Sequence, residues 1–240
     1  MNGSIITFFP NDSKVIPYKK VVYDVGANIG QFTKFAFATL KARTVICFEP
    51  HPDYIPKLCS LKPKWYSYKK IIILPIGLSD VYQEEILYHH ESLPGSHSIV
   101  PGKIEEDDIY GKRNIKHYRK IKIQVKPLDD VFNEYHLPPP EFIKIDVEGA
   151  EANVIRGAMR IIAEHSPDIF CEVRGNPNSV CGETILDIFN LLYPLDYVMY
   201  PTDTVLDLDL KHTDLKLLVR KGELHYSPYF IHGDVLLKRK

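Results

Sequence analysis

The chain has 240 residues, 45% of them hydrophobic, which is enough to bury a substantial core; a single α/β domain over residues 1–240 is the expected organisation. A formal net charge of −1 argues against a dedicated nucleic-acid binder, which normally carries a basic excess. No run of about eighteen apolar residues offers a membrane span, and the opening MNGSIITFFPNDSK lacks the basic start and apolar core of a secretory signal. Cys47, Cys59, Cys171 and Cys181 show no C-x-x-C spacing, the pattern of reduced core thiols in a cytosol-like compartment, so a cytoplasmic location is expected.

Residues 1–20 read as a short N-terminal segment, with a small strand at residues 5–9. Residues 21–30, VVYDVGANIG, then pass from β-branched apolar residues into Asp24, Gly26, Asn28 and Gly30, as a buried strand ending in a tight turn does. Gly26 and Gly30 permit positive φ and close approach of a ligand, and Asn28 tolerates the left-handed region. Phe32, Phe35, Ala36, Thr39 and Leu40 follow at helical spacing. Strand, glycine turn and helix make a nucleotide cradle. The dinucleotide pattern G-x-G-x-x-G fails here, because its second and third glycines fall on Asn28 and Gln31. An acidic-x-Gly-x-x-x-Gly turn of the S-adenosylmethionine type fits Asp24, Gly26 and Gly30. Residues 44–50, TVICFEP, form a second apolar strand ending in Glu49, whose carboxylate can accept hydrogen bonds from both hydroxyls of a ribose.

A short helix carrying Tyr54, Leu58 and Leu61 is expected next, then a third strand at 71–76. Asp80, just beyond it, either caps an adenine or forms a turn. Residues 84–88 read as an edge strand. The pattern dissolves over 89–120, a length that marks a functional or disordered insertion, assigned here to substrate. Its Gly-Ser-His-Ser stretch makes His97 a candidate general base, with Ser96 and Ser98 beside it as substrate contacts. The charges at 105–120 read as a solvated, self-paired surface. Residues 121–125 alternate as a half-exposed strand, and a short helix starts at Leu128.

Residues 142–151, FIKIDVEGAE, are the second informative stretch. Lys144, Asp146 and Glu148 stand at alternate positions of an apolar strand and would share one side if extension continued through Glu148. Charges there are costly unless paired or used. One reading pairs Lys144 internally and sets Glu148 against the following helix; the other makes Asp146, at a strand's carboxyl end, the catalytic acid. A helix over 150–162, a strand at 169–173 containing Glu172, a polar turn from Arg174 and a helix at 185–192 follow. Strands at 197–200, 215–220 and 235–237 are expected to finish the sheet, and Tyr226, Tyr229 and Phe230 to be core or interface.

VVYDVGANIG, CFEPHPDYIPKL, LPIGLSD, the Gly-Ser-x-Ser loop, VKPLDDVF, FIKIDVEGAEANVIRGA and IFCEV occur in the order found in FkbM methyltransferases, and the chain resembles that family from about residue 21 to 173. The resemblance implies a Rossmann-like class I methyltransferase fold: a mostly parallel seven-stranded sheet in the order 3-2-1-4-5-7-6, helices on both faces and an antiparallel C-terminal strand. It implies O-methylation of a hydroxyl, often on a sugar, glycan or polyketide, with S-adenosylmethionine as cofactor. Asp24, Gly26, Asn28, Gly30 and Glu49 would hold that cofactor, with Asp80 a further candidate, and Asp146 with Glu148 would face the transferred methyl. Glu172 and His97 compete with these acids as base, Lys144 would fix them, and Arg174 joins Ser96 and Ser98 on the substrate side. The expected partner is a sugar or glycan, for example a deoxysugar such as rhamnose, with no nucleic acid, no membrane span and no metal site. Methylation of a small metabolite or RNA, and a catalytically silent module keeping the cofactor fold, are the alternatives.

Overall fold

The computed structural model describes residues 19–61, 69–90, 97–98, 118–174, 185–201 and 232–239. Seven strands form the main sheet: β1 (Val21–Val25), β2 (Thr44–Phe48), β3 (Lys70–Leu74), β8 (Phe142–Ile145), β9 (Asp168–Arg174), β10 (Tyr197–Pro201) and β11 (His232–Arg239). Their spatial order is β10-β11-β9-β8-β1-β2-β3. The five strands from β3 to β9 run parallel, and β11 is antiparallel to both its neighbours, β9 and β10. This is the order and polarity of the class I methyltransferase sheet.

The strands are apolar at nearly every position because both faces of the sheet are covered, so successive side chains enter different cores. On one face Tyr23, Val25, Ile46 and Phe48 pack with α3 (Leu128–Glu134), α4 (Glu151–Arg156), α5 (Met159–His165) and α6 (Ile185–Leu192). On the other, Val22, Val45, Cys47 and Phe142 pack with Ala36 of α1 (Gln31–Ala38) and Leu58 of α2 (Ile55–Ser60). The single helix expected over 150–162 is broken at Gly157, where the missing Cβ lets the Ser79 carbonyl approach; a Cβ there would lie 1.9 Å from that oxygen.

A second sheet was not anticipated. β4 (Gly77–Leu78), β5 (Gln83–His90), β6 (His97–Ser98) and β7 (Tyr118–Lys126) pair in the order β4-β7-β5-β6. The expected edge strand at 84–88 and half-exposed strand at 121–125 are therefore partners of one another, from Gln83↔Val125 to His90↔Tyr118. They bury Leu87, Ile123 and Val125 in a core of their own. Outward-facing Lys122 meets Glu84 at 2.8 Å. The strand β7 also begins inside the expected 89–120 insertion. Ser96, the 215–220 strand and residues 226–230 lie outside the described residues. No helix among the described residues is long and apolar enough to cross a membrane.

The turn after β1 is tight. Gly26, Asn28 and Gly30 all take positive φ, at 74°, 52° and 80°. Gly26 is required twice over, because a Cβ on it would also lie 2.0 Å from the Asp146 carbonyl oxygen. Gly26→Ala should therefore destabilise the protein by at least about 1–3 kcal/mol, the usual cost of a strained backbone position. Chemical denaturation checks this, and an unchanged midpoint would contradict the close approach of the β1 turn to the β8 loop.

Candidate active site

The carboxyl ends of β1, β2 and β8 and the residues after β3 open into one cleft of about 510 Å3, counted out to its open mouth. Gly26 and Glu49 line it from the first two strands, Asp146 and Glu148 from the loop after β8, and Gly77 and Leu78 from beyond β3. Leu87, Ile123 and Val125 of the second sheet supply an apolar wall. The two sequence stretches singled out above thus meet at a single surface.

Glu49 is fully buried in side-chain terms yet borders this cleft. Its Oε2 accepts the Asn28 N–H at 2.6 Å and its Oε1 the His51 N–H at 2.8 Å. Each carboxylate oxygen keeps a second lone pair for a ligand hydroxyl. Burial pushes the Glu49 carboxyl up to about 7, against the stabilising pull of the His51 and Asn28 amides. The loop that follows anchors the second sheet. His51 stacks on Tyr54 at 4.4 Å and meets His89 of β5 edge-on at 4.4 Å, while Asp53 is ion-paired with Arg119 of β7.

Asp24 is placed beneath the turn, fully buried, with Thr33 Oγ1 donating to its Oδ2 at 2.6 Å. Its other oxygen is 3.5 Å from Lys144 Nζ. Lys144, also buried, donates to the Gly26 carbonyl at 2.8 Å and the Val25 carbonyl at 3.3 Å, and lies 3.2 Å from Asp146 Oδ2. Burial opposes the ammonium charge, but Asp146 and Asp24 outweigh it and hold the lysine above its ordinary range. Glu172 sits on β9 opposite Asp234, one position past the last β8–β9 pair.

The row of three charges on one side of an extended strand does not form. β8 stops at Ile145, and Glu148 adopts a left-handed φ of 61°. Lys144 instead turns into the sheet, while Asp146, about half exposed at 45%, and Glu148 face the cleft. Asp80 lies 3.5 Å from Arg156 of α4 and accepts from Ser79 Oγ at 3.2 Å. The backbones of His97 and Ser98 pair with His89 and Tyr88 at the edge of the second sheet, and that of Arg174 with His232. Among the described residues no group of three or more His, Cys, Asp or Glu is placed to hold a metal ion.

Two contributors carried no assignment in the sequence reading. Thr33 is one turn into α1 and reaches back to Asp24, a contact that a polar residue on the apolar face of that helix could have signalled. Glu151, the last acid of FIKIDVEGAE, binds the amides of the acid loop.

The model of the methyltransferase FkbM domain matches residues 24–199, well over half of the chain. The protein belongs to the FkbM methyltransferase family. Methyltransferase sdnD of Sordaria araneosa is 28% identical over 167 residues, 59% of this chain and 61% of that protein. The hexuronic acid methyltransferase AglP of Haloferax volcanii is 29% identical over 137 residues, 57% of this chain and 49% of that one. The chain thus spans less than two thirds of the length of these relatives. The crystal structure of an FkbM methyltransferase from Methylobacillus flagellatus KT has a TM-score of 0.54 at 19% identity, covering 92% of this chain and 44% of that one, a likeness of fold.

Lys144 neutralises the buried Asp24 of this FkbM site, so removing it leaves an uncompensated charge. Lys144→Met should cost about 3–5 kcal/mol, and Asp24→Asn added to it should recover part of that loss. Urea unfolding of the two variants tests this; equal stability of Lys144→Met and wild type would show that the ion pair is immaterial.

Proposed function

We propose that this FkbM-family chain is an O-methyltransferase that moves the methyl of S-adenosylmethionine to a hydroxyl of a sugar or glycan. The observation that carries this reading is the shared cleft, in which the glycine turn and Glu49 stand beside Asp146 and Glu148. The sugar acceptor is supported by the hexuronic acid relative. A donor of this kind fits the residues present. Neighbouring strands are about 4.8 Å apart, so the β8, β1, β2 and β3 ends span roughly 14 Å, room for an extended nucleoside with an amino-acid tail. Along that line the acids of the β8 loop stand at one end and Glu49 follows β2, while Leu78, Leu87, Ile123 and Val125 supply apolar lining. These groups suit a sulfonium, a ribose diol and a planar base respectively.

When bound, S-adenosylmethionine supplies an electrophilic methyl carbon. What the chain must do is align an acceptor oxygen behind it, an effect worth up to about 7–11 kcal/mol, and take the hydroxyl proton as the oxygen attacks. Asp146 is the base in this proposal. Lys144 holds its Oδ2, and its other oxygen makes no hydrogen bond among the described residues, leaving it able to accept a proton from the cleft side. Glu148 lies two residues on and also borders the cleft, where it would orient the acceptor.

Calorimetry with S-adenosylmethionine and a methyl-transfer screen over neutral sugars, uronic acids and short glycans test the proposal. Binding of the donor with turnover of a sugar is the expected result, whereas donor binding with turnover only of RNA or a non-sugar metabolite would replace the acceptor class. Asp146→Asn should lower kcat by about 10²–10⁴-fold while the donor Kd stays within about threefold; full turnover in that variant would remove Asp146 from the role of base.

Glu49 gives the site a pH dependence of definite sign. Its carboxyl titrates near 7, and only the anion can accept from both ribose hydroxyls. Donor binding therefore favours the deprotonated form, so Kd should rise as pH falls through about 7. Titrations at several pH values should show this in wild type and not in Glu49→Gln; the same slope in both would exclude Glu49 as its source.

A further inference from the structure

The loop between β8 and α4 presents Asp146 and Glu148 to the cleft, and we infer that Glu151 is the positioning residue that sets both acids for methyl transfer. The inference rests on the proposed roles of those acids. Glu151 is only 6% exposed. Its Oε1 accepts the Val147 N–H at 3.1 Å, and the Gly149 N–H is shared between Oε1 and Oε2 at 3.0 Å each. The two amides it binds therefore flank Glu148. Glu148 is held at φ 61°, a conformation that L side chains rarely adopt and that persists only where the surroundings impose it, and Gly149 follows at φ 112°, which only a glycine adopts readily.

The other end of the loop is fixed by the sheet. Asp146 N–H donates to the Val25 carbonyl at 3.2 Å, continuing the β1–β8 ladder by one residue, and Gly26 abuts the Asp146 carbonyl. Beyond Asp146 the ladder ends, and Glu151 accepts the amides of Val147 and Gly149. Ala150, which precedes α4, has no polar side chain to cap it. Glu151, in the first turn of α4, instead reaches back across the loop to two amides that precede that helix. Bonds from amides to a buried carboxylate are about twice as strong as neutral ones, so the clamp is stiff. A glutamine would keep one acceptor oxygen and bring an NH2 group against amides that are themselves donors. The loop would then shift, carrying Asp146 and Glu148 with it. Misplacement by about 1 Å can cost about 10²-fold in rate without touching substrate contacts.

The experiment compares the full chain with Glu151→Gln and Gly149→Ala. Amide exchange, which needs no acceptor, comes first: the Val147 and Gly149 amides should exchange faster in Glu151→Gln, and unchanged exchange at both would overturn the inference. With an acceptor from the sugar screen, kcat should fall about 10–100-fold while the donor Kd stays within about threefold. Gly149→Ala disturbs the same loop from the backbone side and should reproduce the split; it also carries the test should Glu151→Gln fail to fold. The double variant should be no slower than the worse single, because both act on one element. Unchanged kcat, or parallel loss of kcat and donor binding as local unfolding would give, counts against a positioning role. Full turnover in Asp146→Asn would instead bring down the proposed role of the acids, with the exchange result still judging whether Glu151 holds the loop.

Discussion

Lys144 carries its ammonium between the ends of β1 and β8, where Asp24, Asp146 and the carbonyls of Val25 and Gly26 surround it. Removing an ammonium from water costs several kcal/mol unless such partners replace its hydration. Here the partners come from the two segments that must stay in register for the glycine turn and the acid loop to face the same space. The turn cannot drift from the loop without stripping the cation, and the missing Cβ of Gly26 lets the two backbones close to contact. Electrostatics and sterics thus impose the same geometry from opposite directions.

Much of this was legible in the residues because it is local. The strand, glycine turn and helix over 21–40, the acid closing β2 and the charged interruption at 144–148 each follow from patterns within about ten residues, and the family resemblance supplied the strand order. Long-range partnering was not legible. Asp24 at a glycine turn gives no hint in the sequence that its buried carboxylate meets Thr33 and Lys144. Alternation at 144, 146 and 148 reads as one charged face, but the ladder ends at Ile145 and the left-handed backbone at Glu148 breaks the period. Alternation at 84–88 and 121–125 marks two strands without saying that they pair with each other instead of extending the main sheet.

That second sheet changes the picture of the cleft. Its apolar side chains have a small core of their own, and the same Leu87, Ile123 and Val125 border the space above the strand ends. It is tethered through His51, Tyr54 and His89 and the Asp53–Arg119 pair to the loop directly after Glu49. At the opposite end, Arg156 and Gly157 of the α4 region grip Asp80 and Ser79. The helix that begins at the acid loop therefore ends against the segment between β4 and β5 of the second sheet.

A donor held as proposed spans from the β1 turn to the β8 loop. Titration of the isotopically labelled protein with S-adenosylhomocysteine, followed through the amide resonances of Asn28, Val147 and Gly149, reads both ends at once. All three should move along one binding curve with a single Kd. Movement confined to Asn28, or to the loop alone, or no saturable movement at all, would contradict it.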